Sequence, residues 1–89
     1  MAEIEVEIKN RLGLHLRAAA TLVKITALFK SEIYLIKDED EINGKSIMGI
    51  MTLAAAQGTK LVIKAVGADE KEALAKIKEI FENKFGEGE

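Results

Sequence analysis

Glu3-Ile4-Glu5-Val6-Glu7-Ile8 alternates acid and aliphatic without a break, the period-two pattern of a strand with one face buried and one in water. Asn10-Arg11-Leu12-Gly13 then reads as a turn. Over residues 16–29 the chain is rich in alanine, and Ala19, Leu22, Val23, Thr26 and Phe29 recur at three- and four-residue spacings, which predicts an amphipathic helix. Glu32-Ile33-Tyr34-Leu35-Ile36-Lys37 is rich in β-formers, and Asp38-Glu39-Asp40 supplies a polar turn into a short strand at Glu41-Ile42-Asn43. Ser46 is a good N-cap for a short helix beginning at Ile47, with Gln57-Gly58-Thr59 ending that helical stretch. Lys60 to Val66 is a fourth strand, and the stripe Ala73, Leu74, Ile77, Ile80, Phe81, Phe85 predicts a last helix over residues 70–85. The order is β-α-β-β-α-β-α and the class α+β, with the helices on one face of the sheet and the other face wet.

At 89 residues this is one small domain, residues 1–89, which excludes a two-lobed enzyme with a cleft between its halves. A chain of this length hides roughly 60–65% of its unfolded surface, enough for one core without staples. With 48% hydrophobic and 31% charged residues the composition is that of an ordinary globular domain. Cysteine is absent and histidine occurs once, so disulfides, thiolate chemistry and His-rich metal clusters are excluded, and no metal or cofactor is expected. No apolar run is long enough to span a membrane, and the acidic, alternating start is unlike a signal peptide. A soluble cytoplasmic domain is expected, monomeric, with residues 86–89 (Gly86-Glu87-Gly88-Glu89) as a frayed tail.

Charge is unevenly spread. Between Glu7 and Glu32 lie Lys9, Arg11, Arg17, Lys24 and Lys30 with no acid, whereas all fifteen acidic residues lie outside that window. Such a basic pole steers anions and acidic partners to one end of the molecule. Nucleic acid is not the expected partner, because three Phe and one Tyr leave little to stack bases on and no dense basic stripe appears.

His15 sits between the glycine turn and the Ala-rich helix, at or near its N-cap. A helix start presents unpaired N–H groups and partial positive charge, and Arg17 can reach the same space with a fork of donors suited to phosphate oxygens. A phosphoryl group on the imidazole would be received by both. Position alone also fits a histidine that only caps a helix; the basic window and the flanking Leu14 and Leu16 favour a working site. The second constellation is Gly44-Lys45-Ser46 with Ile47-Met48-Gly49-Ile50-Met51, where no charge occurs between Lys45 and Lys60. A short helix this apolar cannot bury every side; Met48 and Met51 are the exposed candidates for a docking face, and Ile47 or Ile50 belongs to the core. Phosphate on Ser46 would be comfortable at that helix start and would place negative charge beside the docking face. Gly44-Lys45-Ser46 lacks the rest of a P-loop, and no Ser-His-Asp spacing is convincing, so an autonomous enzyme is not expected.

Gly13-Leu14-His15-Leu16-Arg17 with its alanines resembles the active-site segment of the histidine-containing phosphocarrier (HPr) family of the bacterial phosphotransferase system. Residues 43–51 resemble that family's regulatory serine segment. The resemblance implies an open-faced β-sandwich, a four-stranded antiparallel sheet covered on one side by three helices. It implies that His15 takes a phosphoryl group on Nδ1 from enzyme I, charged by phosphoenolpyruvate, and passes it to an enzyme IIA histidine, with Arg17 steadying the group. Leu16, Ala20, Lys24, Ile47, Met48 and Met51 would form the partner-docking surface. Ser46 would be the target of an HPr kinase/phosphorylase, its phosphate hindering enzyme I. Two departures are Ala18, where the family often has proline, and Leu16, where a smaller residue is commoner. They imply a slightly looser helix start and an altered partner preference. The runner-up is a regulatory module acting through phosphorylated Ser46 on a transcriptional regulator or kinase; a ligand-sensing domain without phosphoryl chemistry is third.

Overall fold

In the computed structural model, which describes residues 1–87, the alternating segment becomes β1 (Ala2–Glu7). It is followed by α1 (Leu16–Thr26), β2 (Glu32–Lys37), β3 (Asp40–Asn43), α2 (Ile47–Thr52), β4 (Lys60–Val66) and α3 (Glu70–Glu82), the expected order. The sheet runs β1-β4-β2-β3 with every neighbouring pair antiparallel. Register sorts the faces. Ile4 faces Ile63 and Val6 faces Leu61 on the inner side, while Glu3 faces Lys64 and Glu7 faces Lys60 on the wet side. Opposite charges across a strand pair are favourable, so the wet face holds the same register that the buried face requires.

The helices cover the inner face only. Ala18, Ala19 and Leu22 of α1, Ile50 of α2, and Ala73, Leu74, Ile77 and Phe81 of α3 join Ile33, Leu35, Leu61 and Ile63 in one buried cluster. Alanine at residues 18 and 19 lets α1 sit close to its neighbours. The fully buried Leu22 supplies the bulk; truncating such a side chain to alanine costs about 2–5 kcal/mol.

Three helix ends depart from expectation. α1 stops at Thr26, not near residue 29, because the buried Thr26 hydroxyl donates to Gly44 O at 2.8 Å and ties the helix end to the loop before α2. α2 stops at Thr52, and Ala54 turns the chain with φ 48°. α3 stops at Glu82, where Lys84 and Phe85 take left-handed conformations (φ 55° and 56°) in a 3-10 turn, Lys84–Gly86. Phe85 stays in the apolar stripe nonetheless, edge-on to Phe81 with ring centroids 4.9 Å apart.

Asp69, the residue before α3, caps a different element. Its carboxylate accepts from the Lys30 and Ser31 amides, both at 2.9 Å, and from the Ser31 hydroxyl. The Ser31 hydroxyl first, and then the Lys30 amide, hold the Asp69 carboxyl below its ordinary range.

Candidate functional site

The loop into α1 is built around Gly13. Its φ of +71° is left-handed, and a Cβ there would stand 2.5 Å from Ala55 O, so only glycine lets the loop pass this close. Leu14 N donates to Ala55 O at 2.9 Å and the Leu14 side chain is buried, which leaves His15 as the first residue free to face outward. His15 is extended (φ −78°, ψ 179°) and caps α1: its Nδ1 accepts from Arg17 N at 3.2 Å. The helix ladder opens with Ala19 N donating to His15 O at 2.9 Å, so the N–H groups of Leu16, Arg17 and Ala18 lack intrahelical acceptors. Nδ1 therefore faces the N-terminus of α1. The Arg17 side chain is exposed beside it.

Ala18 is fully buried and helical, so alanine at this position sustains the first turn. Leu16 projects from that turn with 59% exposure.

α2 begins in the same manner: Ser46 is extended, and its Oγ accepts from Gly49 N at 3.0 Å. Met48 is 79% and Met51 40% exposed, while Ile50 is fully buried and Ile47 is half-buried against the core. Ile47 thus offers a partner less surface than the methionines. Ala20 is half-buried and Lys24 exposed. α1 packs on α2, so both capped starts belong to one helical layer.

Sequence reasoning missed two residues here. Glu87 approaches His15, Oε2 to Nε2, and its Oε1 accepts from Asn10 Nδ2 at 2.9 Å. Asn10, read only as a turn residue, is fully buried and also donates to Gly13 O at 2.8 Å. The frayed tail expected over residues 86–89 does not hold for Glu87, because the turn fixed by Phe85 packs on α1 and brings Glu87 over His15; residues 88 and 89 lie outside the described residues. The one available signal was Phe85 at the end of the apolar stripe.

A surface cleft of about 320 Å³ lies elsewhere, lined by Glu5, Lys9, Lys60, Lys78, Phe81 and Glu82 among others, and does not include His15. Among the described residues no helix is long and apolar enough to cross a membrane. His15 thus stands at a helix start between the buried Leu14 and the exposed Leu16.

Comparison with known proteins defines the class. Residues 2–83 match the family model for the PTS HPr component phosphorylation site. The chain is 45% identical over 89 residues to the phosphocarrier protein HPr of Neisseria meningitidis, covering 100% of both chains. It superposes on the crystal structure of HPr from Thermoanaerobacter tengcongensis with a TM-score of 0.94 and 46% identity, covering 98% of each chain. The HPr-like protein Crh of Bacillus subtilis is 43% identical over 77 residues, 86% of this chain and 91% of that protein. The chain belongs to the HPr family: it is a phosphocarrier of the phosphotransferase system, not an enzyme.

Proposed function

We propose that His15 accepts a phosphoryl group on Nδ1 from phosphorylated enzyme I, itself charged by phosphoenolpyruvate, and hands it to a histidine of an enzyme IIA component. The observation that carries this reading is the direction of Nδ1, which faces the N-terminus of α1 and accepts from Arg17 N at 3.2 Å. That bond is at the long end of the usual range, so a phosphoryl oxygen displaces it at small cost and takes over the donor. The neighbouring amides and the helix dipole then face the dianion, and Arg17 steadies it.

Leu16, Ala20, Lys24, Ile47, Met48 and Met51 form the docking surface for both partners. Methionine suits a face that must fit more than one partner. Ser46 is the regulatory site of an HPr kinase/phosphorylase. A phosphate there sits comfortably at the start of α2 and puts about −1.5 to −2 charge among the docking residues, repelling an acidic partner. The carrier works in the cytoplasm as a monomer. The test is incubation with enzyme I, magnesium and phosphoenolpyruvate: wild type gains one phosphate, and His15→Ala gains none while Ser46 remains a kinase substrate.

The similarity to Crh, described as a catabolite repression HPr, supports a second reading in which phosphorylated Ser46 recruits a transcriptional regulator and His15 is a minor route. Under that reading Ser46→Ala, not His15→Ala, removes the cellular effect.

A further inference from the structure

The carrier reading uses one nitrogen of His15 and leaves the other unexplained. Nε2 faces Glu87 Oε2, and the His15 and Glu87 side chains retain 25% and 12% exposure, so the pair is partly withdrawn from water. Glu87 is itself held in place. Asn10 Nδ2 donates to Glu87 Oε1 at 2.9 Å and to Gly13 O at 2.8 Å, and since both partners are acceptors the orientation of the amide is settled. Consecutive left-handed residues, Lys84 and Phe85, are costly backbone that persists only where surrounding contacts demand it. Burial of Phe85 on Phe81 provides that demand and directs the following residues over the start of α1.

We propose that Glu87 is a positioning residue for phosphoryl transfer: held by Asn10, its carboxylate fixes the Nε2–H tautomer of His15 and keeps that proton on the ring while Nδ1 carries the phosphoryl group. The proposal rests on the reading in which His15 is the acceptor. A carboxylate accepts only, so the nitrogen facing it carries the hydrogen and Nδ1 keeps its lone pair. The Arg17 N–H aimed at Nδ1 requires the same tautomer from the other side.

The step balances without moving a proton. The Nδ1 lone pair attacks the phosphorus of the donor's N-phosphoryl group; the new N–P bond forms as the old one breaks, and the old bonding pair returns to the donor nitrogen. The His15 ring then bears a phosphoryl group on Nδ1 and hydrogen on Nε2, and is cationic. On transfer to the next histidine the N–P pair returns to Nδ1, and the ring is neutral with the same Nε2 proton. Glu87 stands opposite the charge that appears and disappears, already oriented, so neither direction needs reorganisation there. The cationic ring is also the better leaving group, which keeps the phosphoryl group ready to move.

The test compares wild type with Glu87→Gln, which keeps the shape and removes the charge, and with Glu87→Ala. The first readout needs no phosphoryl chemistry. In histidine-labelled protein, wild type shows a far-downfield Nε2-bound proton protected from solvent; Gln moves it upfield and Ala speeds its exchange, while the backbone amide spectrum elsewhere is unchanged. The second readout is the lifetime of the phosphorylated protein without acceptor, at mildly alkaline pH after loading by enzyme I and phosphoenolpyruvate. It lengthens about threefold in Glu87→Gln, the size expected of a partly exposed charge pair. A proton signal and a lifetime identical in all three proteins would overturn the role of Glu87 and leave the carrier reading standing. Failure of wild type to load would overturn the carrier reading, and the proton signal would still decide the tautomer.

Discussion

Two helices of this molecule start on a side-chain cap, and they differ in what stands behind the cap. At α1, His15 accepts from the amide two residues on at 3.2 Å, and the eleven-residue helix behind it is rooted in the core by Ala18, Ala19 and Leu22. At α2, Ser46 accepts from the amide three residues on at 3.0 Å, but the helix has six residues and one fully buried side chain, Ile50. The first cap is a weak hydrogen bond on a rigid base. The second is a good hydrogen bond on a marginal helix whose methionines face solvent. On the proposed reading, a base rooted in the core suits a nitrogen that receives and releases a group at one orientation. On the same reading, a helix that depends on its cap suits a site where a phosphate on Ser46 changes how a partner is met. The tail sharpens the contrast, because Glu87 reaches the ring of His15.

The largest effect is expected at the first cap: His15→Ala removes all label transferred from phosphoenolpyruvate through enzyme I, read by intact mass, and leaves kinase-dependent labelling of Ser46. Arg17→Ala slows transfer about tenfold in rapid-quench measurements, the loss of one charge-assisted hydrogen bond to the moving group. Stability reverses the order of the two caps. Ser46→Ala costs about 1 kcal/mol in urea unfolding, the worth of a good N-cap, whereas His15→Ala costs less than half of that. A larger loss at His15 than at Ser46 would break the comparison.

The smallest effect lies away from both caps. The Asp69 carboxyl is held low by the Ser31 hydroxyl and the Lys30 amide, so its folded value lies below its unfolded one, about 3.9. Its stabilisation is complete above the unfolded value and is lost as pH falls through the folded one. Asp69→Asn should flatten the acid limb of Tm against pH and change neither phosphorylation; a variant with the wild-type acid limb would show that the Ser31–Asp69 link carries no stability.

Elements with a strict period were readable from residues alone. β1 and β4 each show alternation or a bounded β-rich run, and the stripe through Ala73, Leu74, Ile77 and Phe81 marks α3. The helix ends were less readable, because each depends on a partner far along the chain. Thr26 fits the α1 pattern, yet its hydroxyl bonds Gly44 and ends the helix there. At the candidate site, His15 and Ser46 were legible as helix caps because a cap is a local device: turn, polar residue, apolar run. Asn10 and Glu87 were not, since 77 residues of sequence separate a pair whose side chains meet at 2.9 Å. A glutamate in a glycine-rich tail carries no local signal, and only the burial of Phe85 turns that tail toward α1.

The most direct measurement is intact-mass spectrometry of the protein after incubation with enzyme I, magnesium and phosphoenolpyruvate, before and after brief acid treatment. One added phosphate that acid removes is a phosphoramidate, the result expected of a carrier working through His15. No added mass, while a control HPr is charged by the same enzyme, or an added mass that survives acid, would contradict it.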